Sequence, residues 1–362
     1  MQYKEIPKYY LKVPIKGAKT IEKGKWAKQP VKGKIKTGGT TWSTEVKFRG
    51  AHILSFPKKS YDLEFSKKQD FNGAVKIHLN AEYVDPSLMR NKLSLDFFRE
   101  IGVLSPEADY IVLYINNLYQ GIYLALESVD KRFLRKRGLP EGSIYYAISE
   151  NANFSKYNPT TKKKKRSITA GYEIKYDQDH SFNNLRKLMK CILTASENDF
   201  PPKIERLLDV EQYFKWLAGA VCTQNFDGFI HNYALYKNGD SGRFEILPWD
   251  YDATWGRDIH GDIMGNRYVP IEGYNSLTAR LLLHRPFKRQ YKKIMEEVLE
   301  DAFTCRALEQ KIFQLHKNLR PYLVKDPYKH RSLSLFDDEP DFILDFIKSR
   351  NRYLKERLTR LQ

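Results

Sequence analysis

Cysteine is scarce: the 362 residues hold three, Cys191, Cys222 and Cys305. They lie far apart and form no C-x-x-C pair, which excludes a zinc ribbon and a disulfide framework. Cys191 and Cys222 fall in apolar helical patterns and are expected as core thiols. No apolar run approaches the length of a membrane span. The first residues, Met-Gln-Tyr-Lys-Glu-Ile-Pro-Lys, contain no apolar signal segment. A reducing interior is therefore expected, with no membrane partner. Acidic residues are also short, 44 against 62 Lys and Arg, so the net charge is +18. Such a surface attracts nucleotides, nucleic acid, acidic proteins or head groups without choosing among them. Internal repeats are absent, so a solenoid is excluded.

What is present suffices for a large core, with 41% hydrophobic and 14% aromatic residues. The length exceeds the roughly 250–300 residues at which a single core stops growing, so two lobes are expected. Residues 1–30 read as basic and irregular. From Trp42 to Arg49 apolar and polar residues alternate, as they do from Ser60 to Phe65, giving two half-buried strands. Val75, Ile77 and Leu79 mark a third. Asp85-Pro86-Ser87 reads as a helix start with Asp as N-cap, and Gly102 as its stop. Residues 109–115 and 119–127 form a hairpin about Asn116-Asn117. A short helix runs from Asp130 to Gly138, and residues 150–180 read as a long polar loop. Helices dominate afterwards, one of them capped by Asp209 and a last one running from Asp341.

The most telling stretch is Asn225-Phe-Asp-Gly-Phe-Ile-His-Asn232, a strand, the turn Asn238-Gly-Asp-Ser-Gly242, a second strand, and Asp250-Tyr-Asp252. Closing that hairpin returns residue 250 beside residues 227–232. Two carboxylates and a carboxamide then converge, as a site for Mg²⁺-assisted phosphoryl transfer requires. Protein kinases follow the catalytic Asp five residues later with a metal-binding Asn, and reach a second metal-binding Asp through a short hairpin. Asp227, Asn232 and Asp250 repeat that spacing. The expected architecture is α+β, two-lobed and protein-kinase-like: a β-rich N-lobe over residues 1–128 and a mainly helical C-lobe over 129–362.

Longer motifs sharpen this. Lys76-Ile-His-Leu-Asn-Ala-Glu-Tyr, Asp85-Pro-Ser-Leu-Met-Arg-Asn-Lys-Leu-Ser-Leu-Asp96, the 225–236 stretch and Pro248-Trp-Asp-Tyr-Asp-Ala-Thr-Trp-Gly-Arg-Asp258 resemble the spore coat protein H (CotH) kinase family. Arg49-Gly50, Lys58-Lys59-Ser60-Tyr61 and Leu126-Glu127-Ser128-Val129-Asp130 extend the resemblance over nearly the whole chain. It implies an atypical protein serine/threonine kinase. The expected substrates are ATP and serine-rich spore coat proteins, and the expected place is the bacterial mother-cell cytoplasm and the assembling coat. It implies Asp227 as catalytic aspartate and Asp250 as metal ligand, with Asn232 and Asp252 as further ligands of Mg²⁺, or of Mn²⁺ in its place.

The connection from Arg49 to Ser60 stands where kinases cover the nucleotide, yet it lacks G-x-G-x-x-G. Backbone amides cannot then cradle phosphates in the usual way. Arg49 and Lys59 are the leading substitutes, with Lys76 the positional equivalent of the usual kinase lysine. Lys58 reads equally well as a surface cation. The helix after Asp85 carries no Glu to pair a lysine, so Glu82 is the candidate for that pairing and Arg90 for touching phosphate. Adenine is expected near the connector 126–130, which includes Glu127. His231 reads as a structural hydrogen-bonder. Lys162–Arg166 reads as a solvated run or a docking patch, and no nucleic-acid-binding motif accompanies it. The alternatives to a kinase are a non-catalytic coat scaffold and a metal-dependent phosphoesterase.

Overall fold

The computed structural model describes residues 5–14, 30–50, 56–66, 70–178, 180–329 and 332–361. The chain divides into two compact units. The first comprises Met1–Lys92, Glu107–Ser128 and Lys311–Pro340; the second comprises Leu93–Pro106, Val129–Gln310 and Asp341–Gln362.

The first unit is built on a closed barrel. Its strands are β1 (Lys8–Lys12), β2 (Val31–Thr37), β3 (Thr40–Arg49), β4 (Ser60–Phe65), β5 (Lys76–Asn80), β6 (Ala108–Ile115) and β7 (Leu118–Glu127). The order around the barrel is β1-β2-β3-β4-β5-β7-β6. Each neighbouring pair is antiparallel except β1 with β6, which run parallel and close the ring. Alternation explains the interior: Leu11, Ile35, Val46, Leu63, Leu79 and Leu113 are buried there while their sequence neighbours face outward. Gly33 is required at one crossing, because a Cβ would stand 2.8 Å from the Lys12 carbonyl oxygen. Asn116 and Asn117 both adopt positive φ (49° and 67°), the conformation a two-residue hairpin turn needs.

Three expectations change here. Residues 1–30 are not wholly irregular, since β1 supplies the closing strand; its alternation is only five residues long and is hidden by exposed lysines. The helix starts at Arg90, not Asp85. The Asp85 carboxylate instead receives the backbone N–H groups of Ser87 (2.8 Å) and Arg90 (3.0 Å), holding a non-helical turn ahead of the helix. A closed seven-stranded barrel also stands where five strands were expected. Residues 51–55 of the connection expected to cover a nucleotide lie outside the described residues.

The second unit carries a four-stranded antiparallel sheet in the order β11-β10-β8-β9, with β8 (Ile144–Ala147), β9 (Tyr172–Tyr176), β10 (Tyr233–Lys237) and β11 (Phe244–Pro248). Residues 150–180 are therefore not a plain loop: they hold a 3-10 turn at Glu150–Ala152 and all of β9. Helices Asn183–Thr194, Val210–Thr223 and Arg285–Glu300 pack apolar faces inward. Trp216, Leu217, Trp255, Tyr291 and Leu299 are fully buried. Gly219 lets Phe98 lie against its helix; a Cβ there would come 2.3 Å from the ring. The last long helix, Leu333–Arg357, begins earlier than Asp341 and contains Pro340. Cys191 and Cys222 are buried, and all three thiols are free. Among the described residues no helix is long and apolar enough to cross a membrane.

Candidate active site

Helix Val210–Thr223 delivers the chain to Asp227. Its start is fixed by Asp209, whose carboxylate accepts from the Gln212 N–H at 3.1 Å. It ends at Gln224, which takes a left-handed conformation (φ 60°). The carbonyls left over at that end are used: buried Arg350 donates to the Val221 carbonyl from Nη2 (2.7 Å) and Nε (3.2 Å). Asn225 Oδ1 then accepts the Gly228 N–H at 2.8 Å. Asp227 opens a single 3-10 turn, Asp227–Phe229, and its carbonyl accepts from Ile230 (3.0 Å) and His231 (2.9 Å). The acid thus stands on a backbone tied down on both sides.

The hairpin returns as expected. Its register runs from Tyr233↔Pro248 to Lys237↔Phe244, and Asn238 Oδ1 holds the turn through the N–H groups of Asp240 (3.0 Å) and Ser241 (3.2 Å). The Trp249 N–H donates to the Asn232 carbonyl at 3.1 Å, so the ladder continues one step beyond the strands. Asn232 and Asp250 therefore leave the open end together. Both are left-handed, with φ of 58° and 59°. Non-glycine residues pay about 1–2 kcal/mol for that conformation, less for Asn and Asp, and such residues cluster at functional sites.

Electrostatics link the two acids. Burial raises the Asp227 carboxyl above its ordinary range, nearby His231 pulls it back, and the charge of Asp250 pushes it further up. The two carboxylates are thus close enough to repel. Asp227, Asn232 and Asp250 are half-buried, and among the described residues their side chains make no hydrogen bond or ion pair. Asp252 is half-buried but has an interaction of its own. His231 does not act as expected: its Nδ1 is buried without a hydrogen-bond partner among the described residues, and its effect is on the charge of its neighbours. No three His, Cys, Asp or Glu side chains form a ready cage among the described residues. Two carboxylates and a carboxamide lacking protein partners nevertheless fit a hard cation that keeps waters and shares its shell with phosphate.

The first-unit candidates separate into two groups. Arg49 and Lys76 come together on the outer face of β3–β5. Lys76 Nζ lies 2.8 Å from Glu64 and 3.2 Å from Asp62, while Asp62 Oδ1 lies 2.5 Å from His78 Nδ1. The Arg49 charge acts on both Asp62 and His78. Glu127 ends β7, and its carboxylate accepts the Glu107 N–H at 3.0 Å.

The others are taken up elsewhere. Lys59 folds its ammonium onto the Phe56 carbonyl. Arg90 is not placed to touch phosphate: it is fully buried, with Asp85 and Glu339 each 2.6 Å away. Lys58 is not a surface cation either. It is fully buried, donating to Asp326 at 3.0 Å and to the Ile122 carbonyl at 2.6 Å. Buried Glu82 accepts from Asn91 at 3.1 Å, and its charge acts on Lys58 and Lys329. Sequence reasoning missed this group because its acids come from distant positions; two adjacent lysines give no sign of which is inward. A cavity of about 810 Å³ in the same unit, lined by Lys12, Lys34, Thr44 and Phe65 among others, includes none of the candidate residues.

An acidic pair without hydrogen-bond partners at the mouth of a β-hairpin makes a candidate cation site, and similarity to known proteins gives the family. The family described as "CotH kinase protein" matches residues 46–354. The chain is 45% identical over 354 residues to inner spore coat protein H of Bacillus subtilis (strain 168), covering 98% of both chains. It is 28% identical over 304 residues to an inner spore coat protein H-like protein of the same organism, covering 84% of this chain and 87% of that one. Invasin CotH3 of Rhizopus delemar matches at 22% identity over 67% of this chain and 43% of its own. The chain belongs to the CotH kinase protein family. Solved structures are more distant. HipA from a Shewanella oneidensis MR-1 toxin–antitoxin complex with HipB and operator DNA gives a TM-score of 0.43 at 12% identity, over 86% of this chain and 68% of that one. The Helicobacter pylori proinflammatory kinase CtkA gives 0.35 at 12%, over 84% and 96%.

Proposed function

We propose that the protein is an ATP-dependent serine/threonine protein kinase that phosphorylates serine-rich spore coat proteins during coat assembly. The observation that carries this reading is the half-buried pair Asp227 and Asp250, which repel each other and make no side-chain hydrogen bond or ion pair among the described residues, with Asn232 beside them. A fold does not retain unpaired buried carboxylates without cost. The family description supports a kinase, and the names of the bacterial relatives support the spore coat as the place of action.

In this reading Asp227 orients the serine hydroxyl and accepts its proton as the oxygen attacks the γ-phosphorus. The new Ser O–P bond forms as the bond from the γ-phosphorus to the bridging oxygen breaks, and ADP leaves. Positioning is the larger contribution, and the tied backbone around Asp227 suits it. Asp250 and Asn232 would hold Mg²⁺ or Mn²⁺, which when bound offsets charge on the phosphate oxygens. Arg49 and Lys76 are the candidates for contact with ATP phosphates; Arg90 is not, because its charge is spent on two buried acids.

The test is incubation with γ-labelled ATP, Mg²⁺ and a serine-rich protein. Wild type should label the protein. Asp227→Asn should lose roughly 100-fold or more of transfer while still binding nucleotide. Asp250→Ala should lose metal-dependent nucleotide binding. Release of free phosphate without labelling would indicate a hydrolase, and full transfer by Asp227→Asn would overturn the assignment of roles.

A further inference from the structure

The run Lys162–Arg166 is held beside the candidate active site. Ala147 at the end of β8 pairs with Tyr233, and its carbonyl accepts the Asn232 N–H at 3.2 Å. The chain then turns through Glu150–Ala152. Tyr172 donates to the Ala152 carbonyl at 3.0 Å, and the Phe154 ring stacks on Tyr233 at 5.5 Å and 10°. This segment is thus fixed against the residue that follows Asn232.

From there the chain makes a hairpin of its own. Asn158 N–H donates to the Lys163 carbonyl and Lys165 N–H to the Lys156 carbonyl, both at 2.9 Å. Glu150 anchors the turn, accepting from Asn158 Nδ2 at 2.7 Å and Thr160 Oγ1 at 2.6 Å. Those hydrogen bonds, with His231 assisting, hold the Glu150 carboxyl below its ordinary range. Lys165 turns inward, donating to the Asn151 carbonyl at 2.5 Å and to Asn153 Oδ1 at 3.1 Å. Lys162, Lys163, Lys164 and Arg166 stay exposed, and among the described residues none has an acidic partner. A merely solvated run needs no such anchoring, and like charges held together repel.

We infer that this hairpin docks the anionic flank of the protein substrate: a carboxylate or phosphoryl group carried on the same segment as the acceptor serine. The inference rests on the kinase reading and names its preferred substrate class. Since the product of that reaction is phosphoserine, a serine-rich segment becomes a better substrate as it is modified. A peptide is favoured over nucleic acid because Phe154 is buried, and Tyr157 is the one large aromatic of the hairpin that is well exposed. A base-stacking platform needs more.

The test uses the full chain and three serine peptides whose flanking residues are Ala, Asp or phosphoserine, with Lys162→Ser/Lys163→Ser/Lys164→Ser as the variant. Wild type should use the anionic peptides roughly fivefold or more better in kcat/KM, and less so at high salt. Preference for phosphoserine over Asp would identify phosphate as the natural anion, and equal use would leave the carboxylate sufficient. The variant should lose the preference with its KM for ATP and its turnover of the Ala peptide unchanged. Equal use of Ala and anionic peptides by wild type, an undiminished preference in the variant, or a raised KM for ATP would overturn the inference. Should no peptide be labelled, the kinase reading fails by itself. Fluorescence anisotropy then decides the docking surface: phosphopeptide binding weakened roughly fivefold in the variant sustains it, and unchanged or absent binding overturns it. Tighter binding of an oligonucleotide of equal charge would overturn the peptide assignment.

Discussion

Charged side chains of the first unit show that neighbours, more than residue type, set what a group can do. His78 is buried beside Asp62, yet burial and the nearby Arg49 charge push it down to about 3 from an ordinary 6.5. The sign follows directly. Above 6.5 neither folded nor unfolded chain protonates this ring. Between 6.5 and about 3 the unfolded chain binds a proton that the folded chain refuses, so stability falls with falling pH. The slope from this residue can approach about 1.4 kcal/mol per pH unit. His78→Gln should flatten the fall in denaturant midpoint between pH 6.5 and 5 relative to wild type, whatever its effect at pH 8. Parallel pH profiles for the two chains would show that the ring is already charged when folded. None of this was legible in Lys76-Ile-His-Leu-Asn, because the decisive charges, Arg49 and Asp62, sit on two other strands.

Elements were legible where their signals were local. The hairpin of β10 and β11 announced itself through two apolar runs and the Asn238–Gly242 cluster, and with it the meeting of Asp227, Asn232 and Asp250. β8 and β9 escaped notice because they are four and five residues long and lie at the edges of polar sequence. The misjudged helix start is more instructive. Asp85-Pro86-Ser87 has the composition of a capping signal, yet Asp85 is spent on Arg90. Arg90 in turn is flanked by Glu339, which no local pattern could supply. Arg90→Met should take the guanidinium away from two buried acids, with Lys329 still acting on Asp85, and cost about 3–5 kcal/mol, read from urea midpoints. Adding Asp85→Asn and Glu339→Gln should recover part of that loss. If Arg90 instead served phosphate, the single variant would unfold like wild type and lose nucleotide binding.

At the scale of the whole chain, the least expected feature is that residues near the start complete a barrel. Backbone contacts at both ends of β1 carry the closure: Pro7 accepts from Val112 and Leu11 from Asn116, both at 2.9 Å, and the Val13 N–H donates to Asn116 Oδ1 at 3.0 Å. Leu11 and Val13 are buried in the barrel core. The seam is not favoured by charge, since Lys12 stands opposite Lys34 in a chain of net charge +18. Its stability must therefore come from the buried side chains and the strand ladder. Removing residues 1–14 should leave β2 and β6 each with an unpaired edge, a template for association between chains. The shortened protein should melt well below wild type and scatter light in proportion to its concentration. Leu11→Ala, which keeps the ladder and empties part of the core, should cost about 2–5 kcal/mol without the scattering. A shortened chain that stayed monomeric and melted with the wild type would mean that β1 only lies on a barrel closed by other means.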